Sequence, residues 1–382
     1  MQPPRTILLA SVLKPLDDTR MYEKFGRTLA RLPQVQVHVA GRQAPAPQPK
    51  PANLHTHSLL AGSRLSWARL RAQGRYWQLL RRLRPGLVVV HAPELLPLTL
   101  LWHWLGKERR FVYDVQENFA LNIRTQHVYP AAVRGLLATA VRGLETLAAT
   151  AAEKVILAEE SYAEELPFAT PARTLILENK YQPPGPELLR STPVHLAPNQ
   201  PLELLYSGTI SELNGVLAAV EFARALRLVW PGTRLTIIGF CQHPALLTQL
   251  QALAAESGGA VELVGGAEPV PHGRIIQAIR RSHLGLLPYR EHPSFWRCVP
   301  TKLFEYLAHA LPVLIPRNPL WQQFIAQHQA GLAVDFADTS SATIEQVKND
   351  LLRHAFYSQG VPAEVFWHSE EQKLLALLDS IR

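Results

Sequence analysis

Cysteine is scarce in this chain: Cys241 and Cys298 are the whole complement in 382 residues. Their spacing resembles no metal motif, and two thiols make no disulfide framework. A zinc- or disulfide-stapled fold is therefore excluded and a reducing compartment is expected. No stretch of about 18 uncharged apolar residues occurs, so no spanning helix is expected. The early run T-I-L-L-A-S-V is too short for a secretory signal, and a cytoplasmic location follows as the expectation. A Gly-x-Gly-x-x-Gly fingerprint is missing, which disfavours a conventional dinucleotide site. Acidic residues are outnumbered, 31 against 39 Lys and Arg, for a formal charge of +8. That balance suits an acidic partner: a nucleotide diphosphate, an anionic membrane face or nucleic acid. No nucleic-acid recognition motif accompanies it, so no nucleic-acid partner is expected.

What is present is apolar and periodic. Hydrophobic residues make up 47%, enough at this length for two domains with substantial cores. Residues 6–12 read as a buried strand, followed by L-K-P-L-D-D-T-R and a helix with Tyr22, Phe25 and Leu29 on one side. Val35, Val37 and Val39 then alternate as a second strand. Strand, loop, helix and strand in that order open a parallel α/β domain, whose first loop lies at the carboxyl edge of the sheet, where ligands bind. Residues 43–53 read as an irregular loop. The segment Leu65–Arg84, with Arg64 ahead of it, is basic and amphipathic. It holds Arg69, Arg71, Arg75, Arg81, Arg82 and Arg84 and no acid, with Trp67, Leu70, Tyr76, Trp77, Leu80 and Leu83 on its apolar side. A helix lying in the plane of a membrane has this pattern; so does a domain helix with solvated arginines.

Further strands over 87–90 and 111–115 end at His91 and in Q-E-N-F, and a long Ala/Leu helix covers 131–151. The N-terminal domain spans 1–181. Residues 182–201 contain six prolines and read as a linker. A second βα-rich domain opens at L-E-L-L-Y-S-G-T-I and spans 202–362, and 363–382 form a last helix carrying Phe366 and Trp367 at its start.

The chemistry concentrates between Arg297 and Trp321: R-C-V-P-T-K-L-F-E-Y-L-A-H-A-L-P-V-L-I-P-R-N-P-L-W. A turn at Pro300 leads into a short helix that packs Leu303, Phe304, Leu307 and Leu311 at spacings of three and four. Pro312 stops it, and V-L-I reads as a buried strand. Lys302 and Glu305 interrupt the apolar run, and charges there require a partner or a cleft. With the D-D-T-R turn (Asp17, Asp18, Arg20) and Y-D-V-Q-E-N, this stretch resembles the nucleotide-sugar site of retaining GT-B glycosyltransferases. The match is to family 4 of the "glycosyl transferases group 1" class, in its P-T-K-L-F-E-Y branch. The resemblance covers nearly the whole chain from Ser11. It implies an α/β protein of GT-B architecture: two Rossmann-like domains facing across a cleft, the last helix crossing back to the first domain.

It also implies roles. Glu305 takes the donor ribose and Lys302 the diphosphate. S-G-T-I-S-E-L-N-G-V brings backbone at Gly208 and Thr209 near the phosphates. Tyr289, in L-P-Y-R-E-H, lies on the base or ribose side or serves packing alone. Gln116 stands where the family commonly has a histidine that holds the transferred sugar, with Glu117 and His91 as further polar candidates. Arg297 replaces the first glutamate of the usual Glu-x7-Glu pair and approaches sugar or phosphate, or is a solvated loop residue. Basic residues usual near Thr209 and Asn214 are absent. Asp17 or Asp18 lines the cleft, caps the helix, or both. His91 is a site residue or a satisfied core histidine; Glu94 is a ligand contact or a helix N-terminal acid.

No D-x-D motif is present, and neither a metal nor a cofactor is expected beyond the donor, a nucleotide-diphosphate sugar. The implied partners are that donor, a glycan or lipid-linked acceptor, and an anionic membrane surface at the inner face. The implied activity is retaining transfer in which the leaving diphosphate helps deprotonate the acceptor hydroxyl. A catalytically weakened scaffold in glycan assembly is the alternative from another class, motivated by Gln116, Thr209 and Asn214. A nucleotide-sugar epimerase of the same architecture is a lesser one.

Overall fold

The computed structural model describes every residue except 1–4, 46, 62–66, 127–128, 184, 186–192 and 382. Arg64, Leu65 and much of the proline-rich 182–201 stretch therefore lie outside the described residues. The chain divides into two compact units, Met1–Gln182 with Trp367–Arg382, and Pro183–Phe366.

Unit 1 holds a sheet built from β1 (Arg5–Pro15), β2 (Val35–Arg42), β3 (Leu54–Leu60), β4 (Leu87–Val90), β5 (Arg110–Val115), β6 (Lys154–Leu157) and β7 (Thr174–Ile176). The spatial order is β3-β2-β1-β4-β5-β6-β7, and every pairing is parallel. Central strands covered on both faces read as continuous apolar runs, as in L-V-V-V of β4, buried throughout. The edge is different. Along β2 and β3 the alternation sends Val35, Val37, Val39 and Leu54 into the core with Phe25 and Tyr22. It sends His38, His55 and His57 to the opposite face. The first helical segment, Thr19–Gly26, is π-helical and continues as α-helix Arg27–Ala30.

The last helix, His368–Ser380, belongs to unit 1. Trp367 is fully buried there: its N–H donates to the Tyr181 carbonyl at 2.7 Å and its Nε1 to Thr28 Oγ1 at 3.0 Å. Phe366, expected to share the anchoring, falls in unit 2 and is only half-buried. Glu370, with no exposed side-chain surface, binds Lys180 at 2.7 Å and Lys373 at 2.9 Å. Leu374, Leu377 and Leu378 complete the attachment to the core.

Unit 2 repeats the plan with β8 (Glu203–Ile210), β9 (Arg234–Cys241), β10 (Val261–Gly266), β11 (Leu284–Leu286), β12 (Val313–Ile315) and β13 (Gly331–Ala333). The order is β10-β9-β8-β11-β12-β13, again parallel throughout. In each unit the order reverses beside the first strand, between β1 and β4 and between β8 and β11. Open α/β sheets bind ligands outside the carboxyl ends of strands at such a point.

Candidate active site

In unit 2 the helix Thr301–Ala308 follows Pro300, whose extended ψ of 132° and missing N–H suit a helix start. Leu303, Phe304 and Leu307 are buried, while Lys302 and Glu305 are half-buried on the remaining face. Lys302 makes no ion pair with Glu305. The Glu305 carboxylate instead meets His272 Nε2 at 2.9 Å, at the start of the helix His272–Arg281.

The Lys302 side chain lies over Gly208. A Cβ placed on Gly208 would stand 2.0 Å from Lys302 Cε and 2.1 Å from Nζ, and Gly208 has φ +96°, a conformation side-chain-bearing residues rarely adopt. Gly208 pairs with Gly239, and Gly239 with Gly265, across the carboxyl ends of three neighbouring strands. A Cβ on Gly239 would fall 1.7 Å from the Gly208 carbonyl oxygen. The result is a strip of bare backbone beside an ammonium group.

The loop after β8 folds back on itself. The Thr209 carbonyl accepts from Tyr206 OH at 2.9 Å and from Asn214 Nδ2 at 3.0 Å, and Arg290 N–H donates to the Leu213 carbonyl at 3.0 Å. Thr209 itself is exposed. Asn214, where the family pattern has a base, thus shapes the loop. Beneath it, Tyr306 OH and Ser207 Oγ share a buried hydrogen bond of 2.9 Å, and burial pushes the Tyr306 hydroxyl well above its ordinary range.

Tyr289 stands edge-on to Phe295 and Trp321, at 5.8 and 5.7 Å between centroids. Trp321 Nε1 donates to the Cys298 carbonyl and Asn318 Nδ2 to the Trp296 carbonyl, each at 2.7 Å. These contacts hold the loop on which Arg297 is exposed.

Unit 1 brings three chain segments together at its own order reversal. Arg20 follows β1, His91 follows β4, Asp114 lies near the end of β5 and Gln116 follows it. Arg20 Nε donates to Asp114 Oδ2 at 2.9 Å and Nη2 to Oδ1 at 2.6 Å. His91 Nδ1 meets Asp114 Oδ2 at 2.7 Å, and Gln116 Nε2 donates to the same oxygen at 3.0 Å. Arg20, His91 and Asp114 are each at most 1% exposed. Burial by itself would raise the Asp114 carboxyl; the Arg20 guanidinium, then His91, outweigh it and hold the group well below the carboxylate range. Arg20 Nη1 and His91 Nε2 are buried without a hydrogen-bond partner. The Arg20 guanidinium and the His91 ring both lie against Phe25, at 5.1 and 5.3 Å.

Asp114 is the residue that sequence reading passed over. Its signal was a charge inside an otherwise apolar strand, the same signal that singled out Lys302 and Glu305. Among the other candidates, Glu117 is exposed and accepts from Asn122 Nδ2 at 2.9 Å. Asp18 caps the first helix through the N–H groups of Arg20 and Met21, at 3.0 and 2.8 Å, and Asp17 is exposed. Glu94 pairs with Arg69 at 3.0 Å.

No protein-family model and no curated sequence matches the chain. Solved structures do. Sucrose-phosphate synthase from Thermosynechococcus elongatus superposes with a TM-score of 0.64 at 15% identity, over 99% of this chain and 96% of its own. HepE of Anabaena, solved with UDP, gives 0.64 at 12% over 98% and 100%. WaaG, a glycosyltransferase of lipopolysaccharide biosynthesis, gives 0.60 at 14% over 98% and 95%. The fold is that of GT-B glycosyltransferases, α/β with a parallel sheet in each unit.

Proposed function

We propose that this chain is a retaining glycosyltransferase of the family 4 type. In this reading it moves a sugar from a nucleotide-diphosphate donor to a hydroxyl of a glycan or lipid-linked acceptor. The observation that carries the reading is Lys302 laid over the bare backbone at Gly208, with Glu305 one turn further along the same helix. A leaving diphosphate needs positive charge and close backbone N–H groups; Lys302, Gly208 and Thr209 supply both. Glu305 can accept from both ribose hydroxyls, and His272 holds its carboxylate in place. Tyr289 acts by fixing the loop that carries Arg297.

On unit 1, Asp114 engages the amide nitrogen of Gln116 and so leaves its carbonyl oxygen to accept from a sugar hydroxyl. Glu117 and Arg297 are the remaining groups assigned to the transferred sugar. The departing diphosphate takes the acceptor proton. The acceptor side fits the inner face of a membrane: Trp67, Leu70 and Trp104 are 84, 63 and 61% exposed, and Arg71, Arg75, Arg81 and Arg82 are exposed on the helix Ala68–Leu83.

Calorimetry with UDP, GDP and ADP, followed by a donor-hydrolysis assay, tests the proposal; the UDP bound to HepE puts UDP first. Glu305→Gln keeps the shape and removes a charge-assisted bond, so nucleotide affinity should fall roughly ten- to hundredfold. Lys302→Met should weaken the diphosphate more than the bare nucleoside. Unchanged nucleotide affinity in a folded Glu305→Gln protein overturns the assignment. Tight nucleotide binding without any donor turnover would instead support the scaffold reading.

A further inference from the structure

A second polar cluster of unit 1 takes no part in that site. His38 on β2 and His55 on β3 are register partners, and their rings stack at 4.9 Å. His57 stacks on His38 at 5.1 Å, and His38 Nδ1 and His57 Nε2 share a hydrogen bond of 2.8 Å. The arrangement is a stack, not a convergence of nitrogens: no three His, Cys, Asp or Glu side chains among the described residues are placed to hold a metal ion.

Beside the stack lies a cavity of about 510 Å³ between the edge strand β3 and the helix Ala68–Leu83, lined by Thr56, His57, Ser58, Arg75, Gln78 and Arg82 together with two leucines. Among the described residues no carboxylate lines it. Arg75 donates to the Leu59 carbonyl at 3.1 Å. Arg82 has no hydrogen bond or ion pair among the described residues. Gln36 Oε1 meets His55 Nε2 at 3.1 Å; among the described residues the charged and titratable groups around the stack are basic: His38 and His55 from the strands, Arg75 and Arg82 from the helix, and Lys50 from the preceding loop. Burial first, then neighbouring basic groups, Arg82 among them, lower His57 and His38 to about 4 each. The imidazoles are thus held neutral by burial and, second to it, by a positive field that no carboxylate among the described lining residues balances.

We propose that this cavity binds a phosphate group, and that the His57–His38 pair takes up a proton as it binds. The chemistry matches. A guanidinium fork pairs with phosphate oxygens, the Ser58 and Thr56 hydroxyls and the Gln78 amide add neutral donors, and the volume suits a small phosphate ester. A bound phosphate anion offsets the positive field that adds to burial in keeping the imidazoles neutral; an opposite charge at contact distance raises a histidine by about 1–3 pH units. The phosphate can be free, as inorganic phosphate or a soluble monoester, or it can be the headgroup of a lipid.

Histidine side-chain NMR on the full chain near about pH 6, below the ordinary histidine value, separates these. The His57 and His38 signals are assigned by their loss in His57→Gln and His38→Gln. Inorganic phosphate, glycerol phosphate, and phosphatidylglycerol vesicles against phosphatidylcholine vesicles are added in turn. Protonation of His57 or His38 with free phosphate or glycerol phosphate supports a soluble ligand; a response to phosphatidylglycerol vesicles alone supports a headgroup. Arg82→Ala, at an exposed position that should leave the melting temperature unchanged, should weaken the response roughly ten- to hundredfold in ligand concentration. No protonation with any of the four additions, or an undiminished response in Arg82→Ala, overturns the proposal.

Discussion

Individual residues set what each unit can do. Gly208 is constrained twice, by a φ of +96° and by Lys302 Cε, which would sit 2.0 Å from any added Cβ. Gly208→Ala should therefore lower stability by about 1–2 kcal/mol through the left-handed backbone. It should also push the Lys302 ammonium off the strip of bare backbone. Calorimetry should then show UDP weakened more than uridine, a split that a purely structural defect would not produce. Glu145 makes a pH argument of its own. It is fully buried, accepts from Tyr113 OH at 2.9 Å, and is raised by burial to about 7. Its folded value lies above its unfolded one, so the contribution to stability is full below about pH 4.5 and is lost as pH rises through about 7. Glu145→Gln should flatten the fall in melting temperature between those values. An unchanged slope would show that Glu145 is ionised in the folded protein.

At the scale of elements, periodicity carried most of the reading and tertiary pairing carried the rest. The helix Thr301–Ala308 was legible because Pro300 marks its start and Leu303, Phe304 and Leu307 recur on one face. The parallel order was legible from buried runs alternating with helices. The edge strand β3 was not: L-H-T-H-S-L-L lacks an apolar alternation because its outer face carries histidines. Nor was the Arg20–Asp114 pair, whose members lie 94 residues apart, or the register that aligns Gly208, Gly239 and Gly265. Such contacts exist only once strands are neighbours. The helix Ala68–Leu83 packs as its domain-helix reading expects. Tyr76, Leu79 and Leu80 are buried as in any domain helix, yet Trp67 and Leu70 stay exposed beside arginines. If that face meets an anionic surface at about 1 kcal/mol per basic residue, changing Arg71, Arg75 and Arg82 together to Glu should nearly abolish sedimentation with phosphatidylglycerol vesicles at low salt. Equal binding before and after would leave a plain solvated helix.

At the scale of the whole molecule, the last helix makes unit 1 discontinuous in sequence. The chain leaves after Gln182, builds unit 2, and returns at Trp367. The return is strongly specified. Trp367 packs against Phe25 at 5.7 Å and donates to Thr28, while Glu370 is wholly buried between Lys180 and Lys373. Burial alone would raise the Glu370 carboxyl, but hydrogen bonds from Lys180 and Lys373 bring it below its ordinary value. Removing one member of a buried charge pair leaves the other desolvated and costs about 3–5 kcal/mol; truncating a buried tryptophan to alanine costs about 3–5 kcal/mol as well. Each is a large fraction of the stability of a domain. Trp367→Ala should therefore destabilise unit 1 selectively, as should a chain ending after Phe366, while unit 2 keeps the whole of its own sheet. Hydrogen exchange read by mass spectrometry distinguishes the units. Protection should fall in β1, β2 and the helical segment Thr19–Ala30 and persist in β8, β9 and β12. Uniform loss across both sheets would show that the units unfold as one. Preserved protection in β1 and β2 would show that the last helix rests on a core already complete without it.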